Sequence, residues 1–292
     1  MGKDADISAN ERAFILEALH KNVRLDGRGF DQFRHLELTF GEEHGNVKVQ
    51  LGKTAVLVRI SAELTTPRPE RDCDGIFTVV VELNDMALPG YETGRQSELE
   101  VNLSRTLDKI VRRSNALDTE SLCIAKGTIC WNVRADIHIL DCDGGLIDAS
   151  CLATMAGLLH FRLPESAVRD GEVTVFTTEE KVPVSLNLTK LPLSVTFTLY
   201  DEGKIVLLDA TTSEEAVSEG SLVIALDKTG EIALYTKPDG APADPVNMVT
   251  CSNLALEKVR ELNKFISTKL DEDKQMREKK RPTAELSAAN ER

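Results

Sequence analysis

The stretch GTICWNVRADIHIL, residues 127–140, alternates without a break. Ile129, Trp131, Val133, Ala135, Ile137 and Ile139 fall on one side, and Asn132, Arg134, Asp136 and His138 on the other. A period of two over this length suits a strand with one buried and one polar face, and no helix. Shorter alternations precede it. Leu36, Leu38 and Phe40 form one; Val47, Val49 and Leu51 form another, and a Gly52-Lys53 turn leads into TAVLVRISAEL (54–64). IFTVVVEL (76–83) reads as a buried strand, after a loop at 65–75 rich in proline and charge.

Helical periods punctuate these strands. Residues 8–20 start with a plausible N-cap, Ser8, and Glu11 three residues on, with Phe14, Ile15, Ala18 and Leu19 as the apolar face. Residues 96–114 form a second helix, and LIDASCLATMAGLLHF follows the turn Asp143-Gly144-Gly145 as a third. Short strands are expected near 172–177, 194–200 and 204–209. A hairpin is expected to join SLVIAL to EIALYT through residues 227–230, and a last helix to run from about Val246 to Leu270. Strands followed by a helix, twice over, predict an α+β fold with mixed sheets and helices packed on them.

At 292 residues the chain is long enough for one large domain or two halves sharing a core. The expected division is a domain over 1–270, with halves of about 1–190 and 191–270, and a charged tail over 271–292. The tail is too poor in apolar side chains to order alone and is expected to order only against a neighbouring subunit. Six cysteines lack CxxC spacing and any Cys/His grouping of the zinc type, so buried reduced thiols are expected, with no metal and no cofactor. The polar start MGKDADIS suggests no signal peptide, and no apolar run approaches a membrane span.

A formal net charge of −13 argues against a protein coated in nucleic acid. One local reversal stands out. Arg105, Lys109, Arg112 and Arg113 lie within about a third of the wheel of the 96–114 helix, opposite Leu99, Leu103, Leu107 and Ile110. From pattern alone the stripe suits a solvated face as well as an RNA-binding one. Arg68 and Arg71 in the 65–75 loop carry the same two readings, and Arg95 can equally be an ordinary surface arginine.

Three segments in order resemble the RNase PH family: ETGRQSELEVNLSRTLDKIVRRSNALDTESLCI (92–124), HILDCDGGLIDASCLA (138–153) and IVLLDATTSEEAVSEGSLVIAL (205–226). The resemblance spans roughly residues 8–268 and looks closest to the non-catalytic exosome ring subunits that carry a C-terminal extension. It implies the RNase PH fold, two βαβα halves around a shared core. Active members are phosphorolytic 3′-to-5′ exoribonucleases, and Arg95 matches an arginine of that family. Where active members have a loop like GGTRTA, this chain has GGLIDA: Leu146, Ile147 and Asp148 replace two threonines and an arginine. An acid there would repel phosphate by about 1 kcal/mol or more. Asp209 matches the first of two family aspartates, and Glu215 stands at the second.

The resemblance implies a non-catalytic ring subunit that supports 3′-to-5′ RNA processing, including rRNA processing, and decay. Its implied partners are other RNase PH-like ring subunits, RNA-binding cap subunits, associated exoribonucleases and single-stranded RNA. The implied location is the nucleus, including the nucleolus, and the cytoplasm. Two alternatives remain at this point: an active phosphorolytic exoribonuclease, and an unrelated α+β interaction protein.

Overall fold

The alternating stretch becomes the strand Ile129–Asp141 at the heart of a six-stranded sheet in this computed structural model, which describes residues 7–84, 87, 97–169, 172–176, 181–238, 240, 242 and 244–289. The preceding strands are β1 (Leu36–Phe40), β2 (Asn46–Leu51), β3 (Thr54–Thr65), β4 (Ile76–Leu83) and β5 (Cys123–Ala125). With Ile129–Asp141 as β6, the order is β1-β2-β3-β6-β4, and β5 also pairs with β6. β4 runs parallel to β6, while β3 pairs with it antiparallel from Ala55↔Asp141 to Thr65↔Cys130. The apolar side of β6 is buried from Trp131 to Ile139, as its period demands. His138 on the polar side meets Glu82 across the β4 pairing, Nδ1 to Oε2 at 3.2 Å.

Helix α1 (Ala9–His20) opens the chain with the expected Ser8–Glu11 capping box. It buries Ile15 and Leu19 against Tyr200, Leu207 and Val217, but Phe14 is 62% exposed and is not part of that face. The next helix, α2 (Glu98–Arg113), has a second capping box on Ser97 and Glu100. It buries Leu103, Leu107, Ile110 and Val111, whereas Leu99, expected among them, is 41% exposed. Helix α3 (Leu146–His160) is apolar on every side and almost wholly buried, as such a helix must be, against β2, β3 and the second sheet.

Two small antiparallel pairings, β7 (Arg162–Leu163) with β10 (Val184–Ser185) and β8 (Ser166–Arg169) with β9 (Glu172–Val175), lead to that second sheet. It contains β11 (Leu193–Tyr200), β12 (Ile205–Leu208), β13 (Gly220–Leu226) and β14 (Ile232–Thr236) in the order β12-β11-β13-β14, with the short helix α4 (Thr212–Glu215) between β12 and β13. The expected hairpin closes where Asp227 N–H donates to Glu231 O at 3.0 Å.

The last helix differs from expectation. α5 runs from Pro245 to Ala289 without stopping at Leu270. Asp273 is buried and Arg277 donates to the carbonyls of Gly41 and Glu42, so the first turns of the supposed free tail are docked on the chain itself. The cysteines also depart from the uniform burial expected: Cys130, Cys151 and Cys251 are buried, Cys123 and Cys142 half-buried and Cys73 exposed, all as free thiols.

Candidate nucleic-acid interface and cleft

Between β6 and α3 the backbone must turn inside a crowded space. Gly144 and Gly145 do this with φ of +80° and +67°, a region that favours glycine. A Cβ on Gly145 would lie 2.8 Å from Arg34 Nη2 and 2.9 Å from Asp209 Oδ1, so the turn is packed against two charged side chains.

Those two side chains are tied together. Asp209, 1% exposed, accepts from Arg34 N at 2.8 Å and Arg34 Nη2 at 2.7 Å, and from Arg28 Nη1 at 3.1 Å. Arg34 also donates to Gly144 O at 2.9 Å. Nearby, Arg24 and Glu214 form a buried pair at 2.6 Å, and Arg24 Nη2 reaches Asp209 O at 2.9 Å. Sequence reasoning missed all three arginines; the run RLDGRGFDQFR shows them only as a loop.

These bonds decide whether the carboxylates suit a metal. They do not, because the Arg34 guanidinium already fills the side of Asp209 that a cation would need. Among the described residues no group of three or more His, Cys, Asp or Glu side chains is arranged to hold a metal ion. Glu215 accepts from Gly145 N at 2.8 Å, and burial pushes its pKa up to about 7.

Asp148 needs a correction. It was expected to face phosphate as a repelling anion. Instead it is buried and accepts from Thr196 N at 2.7 Å and Thr196 Oγ1 at 2.8 Å, and burial raises its pKa to about 6. Leu146 and Ile147 are the residues that reach the opening. With Gly145 and Glu215 they line a cleft of about 710 Å³ between α2 and the second sheet, whose floor includes Thr196 and Thr198.

The basic stripe divides between two cavities. Arg105 and Lys109 line the 710 Å³ cleft. Arg112 lines a second cavity of about 390 Å³ together with Arg68 and Arg71, so the loop and the helix meet there. Arg112 is paired with Asp108 one turn back, Arg71 lies 3.4 Å from Asp74, and Arg113 is exposed and lines neither cavity. Arg95 lies outside the described residues.

Residues 32–164 match the model of domain 1 of the 3′ exoribonuclease family, and residues 190–258 match its domain 2. The exosome complex component rrp45 of Schizosaccharomyces pombe is 43% identical over 292 residues, covering 100% of both chains. The corresponding component RRP45 of Saccharomyces cerevisiae is 42% identical over 96% of each. Among solved structures, the Archaeoglobus fulgidus exosome with RNA bound to the active site is similar at a TM-score of 0.77 and 31% identity, over 87% of this chain and 97% of that one.

Proposed function

As this chain belongs to the 3′ exoribonuclease family, of RNase PH fold, we propose that it serves as a non-catalytic ring subunit of the RNA exosome, one that holds RNA and neighbouring subunits without cutting. The observation that carries the non-catalytic reading is the composition of the cleft. A phosphorolytic site must hold inorganic phosphate through cationic or N–H donors. Here Leu146 and Ile147 line the opening, the Gly145 N–H is taken by Glu215, and Asp209 is consumed by Arg34 and Arg28. The side chains of Leu146 and Ile147 offer the nucleophile no donor, and Asp209 is already bound to two arginines.

The RNA reading rests on charge placement. Arg105 and Lys109 at one cavity, and Arg68, Arg71 and Arg112 at the other, make a cationic track along α2 on a chain of net charge −13. Contacts of this kind hold backbone phosphates and are blind to base identity. Arg95 belongs to the same proposal. Partners in the assembly would be related ring subunits, RNA-binding cap subunits and associated exoribonucleases, in the nucleus, the nucleolus and the cytoplasm.

Two experiments test this. Purified chain incubated with RNA and phosphate should release no nucleoside diphosphate; release would overturn the non-catalytic reading. Tagged chain recovered from cells of its source should co-purify in a heteromeric complex of related chains, read by intact mass. Recovery as a monomer would overturn the ring assignment.

A further inference from the structure

Both family matches end by residue 258, yet α5 continues to Ala289. The part beyond the matches does two different things. As far as Ile266 and Leu270 it buries apolar side chains, with Val259 and Ile266 in the core and Leu262, Phe265 and Leu270 packed against it. Between Leu270 and Lys279 the one apolar side chain, Met276, is 56% exposed. A helix end of that composition has no hydrophobic reason to stay down. It is held by charge and hydrogen bonds.

Asp273 is 8% exposed, and its Oδ2 lies 2.6 Å from Arg277 Nε and 3.3 Å from His160 Nε2. Arg277 then spends its remaining donors on the first half of the chain, Nη1 to Glu42 O at 2.7 Å and Nη2 to Gly41 O at 2.5 Å. His160 ends α3. Its Nδ1 accepts from Gly45 N at 3.1 Å, and its ring lies 4.7 Å from Phe40 and 5.0 Å from His44. The buried carboxylate therefore orients Arg277 onto the turn between β1 and β2, and His160, whose Nε2 makes no hydrogen bond, binds the same turn from the end of α3 through Gly45 N–H.

The same helix packs on β11 and β13 of the second sheet and on β1 of the first. We infer that residues 259–277 are an intramolecular strap that clamps the two halves together, with Asp273 and Arg277 as its latch on the turn between β1 and β2. This does not depend on the exosome reading, since every contact is within the chain. It bears on the cleft all the same. α3 carries Leu146 and Ile147 at one end and, at the other, His160, which binds the latched turn; the cleft opens between the halves that the strap joins. Loosening the latch should free the far end of that helix and the 41–45 turn.

The imidazole of His160 stays neutral beside the latch. Burial, the facing Arg277 and Arg162, and the neighbouring His44 outweigh Asp273 and lower the His160 pKa to about 4. A second proton at Nδ1 would confront the Gly45 N–H, which is itself a donor.

Hydrogen exchange on the full chain tests the inference, with Arg277→Ala as the perturbation and Lys279→Ala, on the exposed helix beyond the latch, as control. In Arg277→Ala the amides of residues 41–46 and 160–162 should exchange at least about tenfold faster, while β11 and β13 keep their protection. Arg277→Lys, which lacks the planar fork that meets Asp273 and both carbonyls, should fall between. Lys279→Ala should match the wild type. Unchanged protection at 41–46 would overturn the latch. A uniform loss across both sheets would also overturn it, because Arg277 would then be an ordinary contributor to global stability.

Discussion

Replacing Glu215 with Gln should stabilise the protein, and by more as pH rises. Glu215 Oε1 accepts from Gly145 N at 2.8 Å, and the glutamine can keep that bond through its own carbonyl oxygen. What the substitution removes is the buried ionisation. Burial raises the pKa from 4.5 to about 7, with Asp148 and Asp209 adding to it, against the opposing pull of the Gly145 N–H and Arg34. The folded protein therefore holds a proton up to about pH 7 that the unfolded chain loses near 4.5. Between these values the unfolded state binds fewer protons, so this group's contribution to stability falls as pH rises and then levels off. The gap corresponds to about 3 kcal/mol at pH 8 and to less than about 1 kcal/mol at pH 5. Urea denaturation of wild type and Glu215→Gln at both pH values should show a gain about 2 kcal/mol larger at pH 8. An equal effect at the two pH values would refute the buried-ionisation argument. A net loss at pH 8 would mean that the carboxylate is worth more to Gly145 and Arg34 than burial costs.

Other outcomes follow from the same geometry. His160 has the opposite sign: its folded pKa lies below the ordinary 6.5, so wild-type stability should fall as pH drops from 6.5 to about 4, and His160→Gln should flatten that limb in a pH series of denaturation curves. Arg24→Met leaves Glu214 buried without its partner and should cost about 3–5 kcal/mol by denaturant unfolding, much of it recovered in Arg24→Met with Glu214→Leu. Ile147→Arg should not create phosphorolysis, since Leu146 still lines the cleft and Asp209 stays bound to Arg34; nucleoside diphosphate release from the variant would contradict this. Changing Arg105 and Lys109 to Glu in the assembled complex should weaken RNA binding for unrelated sequences alike and lower the log–log salt slope by about 0.7 per lost contact. Arg113→Glu should do neither, because Arg113 lines no cavity on the track.

The fold was legible where period and capping agree. α1, β6, α2 and the β13–β14 hairpin lie within a residue or two of their sequence-based bounds, because apolar spacing and the Ser8–Glu11 box are local signals. Leu99 and Phe14 misled because a helical wheel gives a direction and says nothing about whether another element lies in that direction. The tail misled for a related reason. Composition registers that 271–277 has few apolar groups, but Arg277 docks on carbonyls 235 and 236 residues away, and no local window contains both ends. At the cleft the apolar pair Leu146-Ile147 was visible in GGLIDA, while the fate of Asp148 was not. Whether a carboxylate faces an opening or a buried threonine is settled by β11, which lies 48 residues further on. The ties of Asp209 to Arg34 and Arg28, 175 and 181 residues away, were beyond sequence for the same reason.

Those long ties impose an order in time as well as in space. Arg24 finds Glu214 across 190 residues, so at ribosomal speeds of about 5–20 residues per second the partner emerges about 10–40 s after the arginine. For that interval Arg24, Arg28 and Arg34 have no folded site to enter, and β12, against which the N-terminal segment closes through Leu208 N–H to Phe30 O at 3.0 Å, does not yet exist. The first sheet can form on the nascent chain while its own N-terminus stays loose. An N-terminal fusion therefore sits on a segment that closes only after the first sheet, and a chain released before residue 214 should carry that segment open to proteases however well the first sheet has folded.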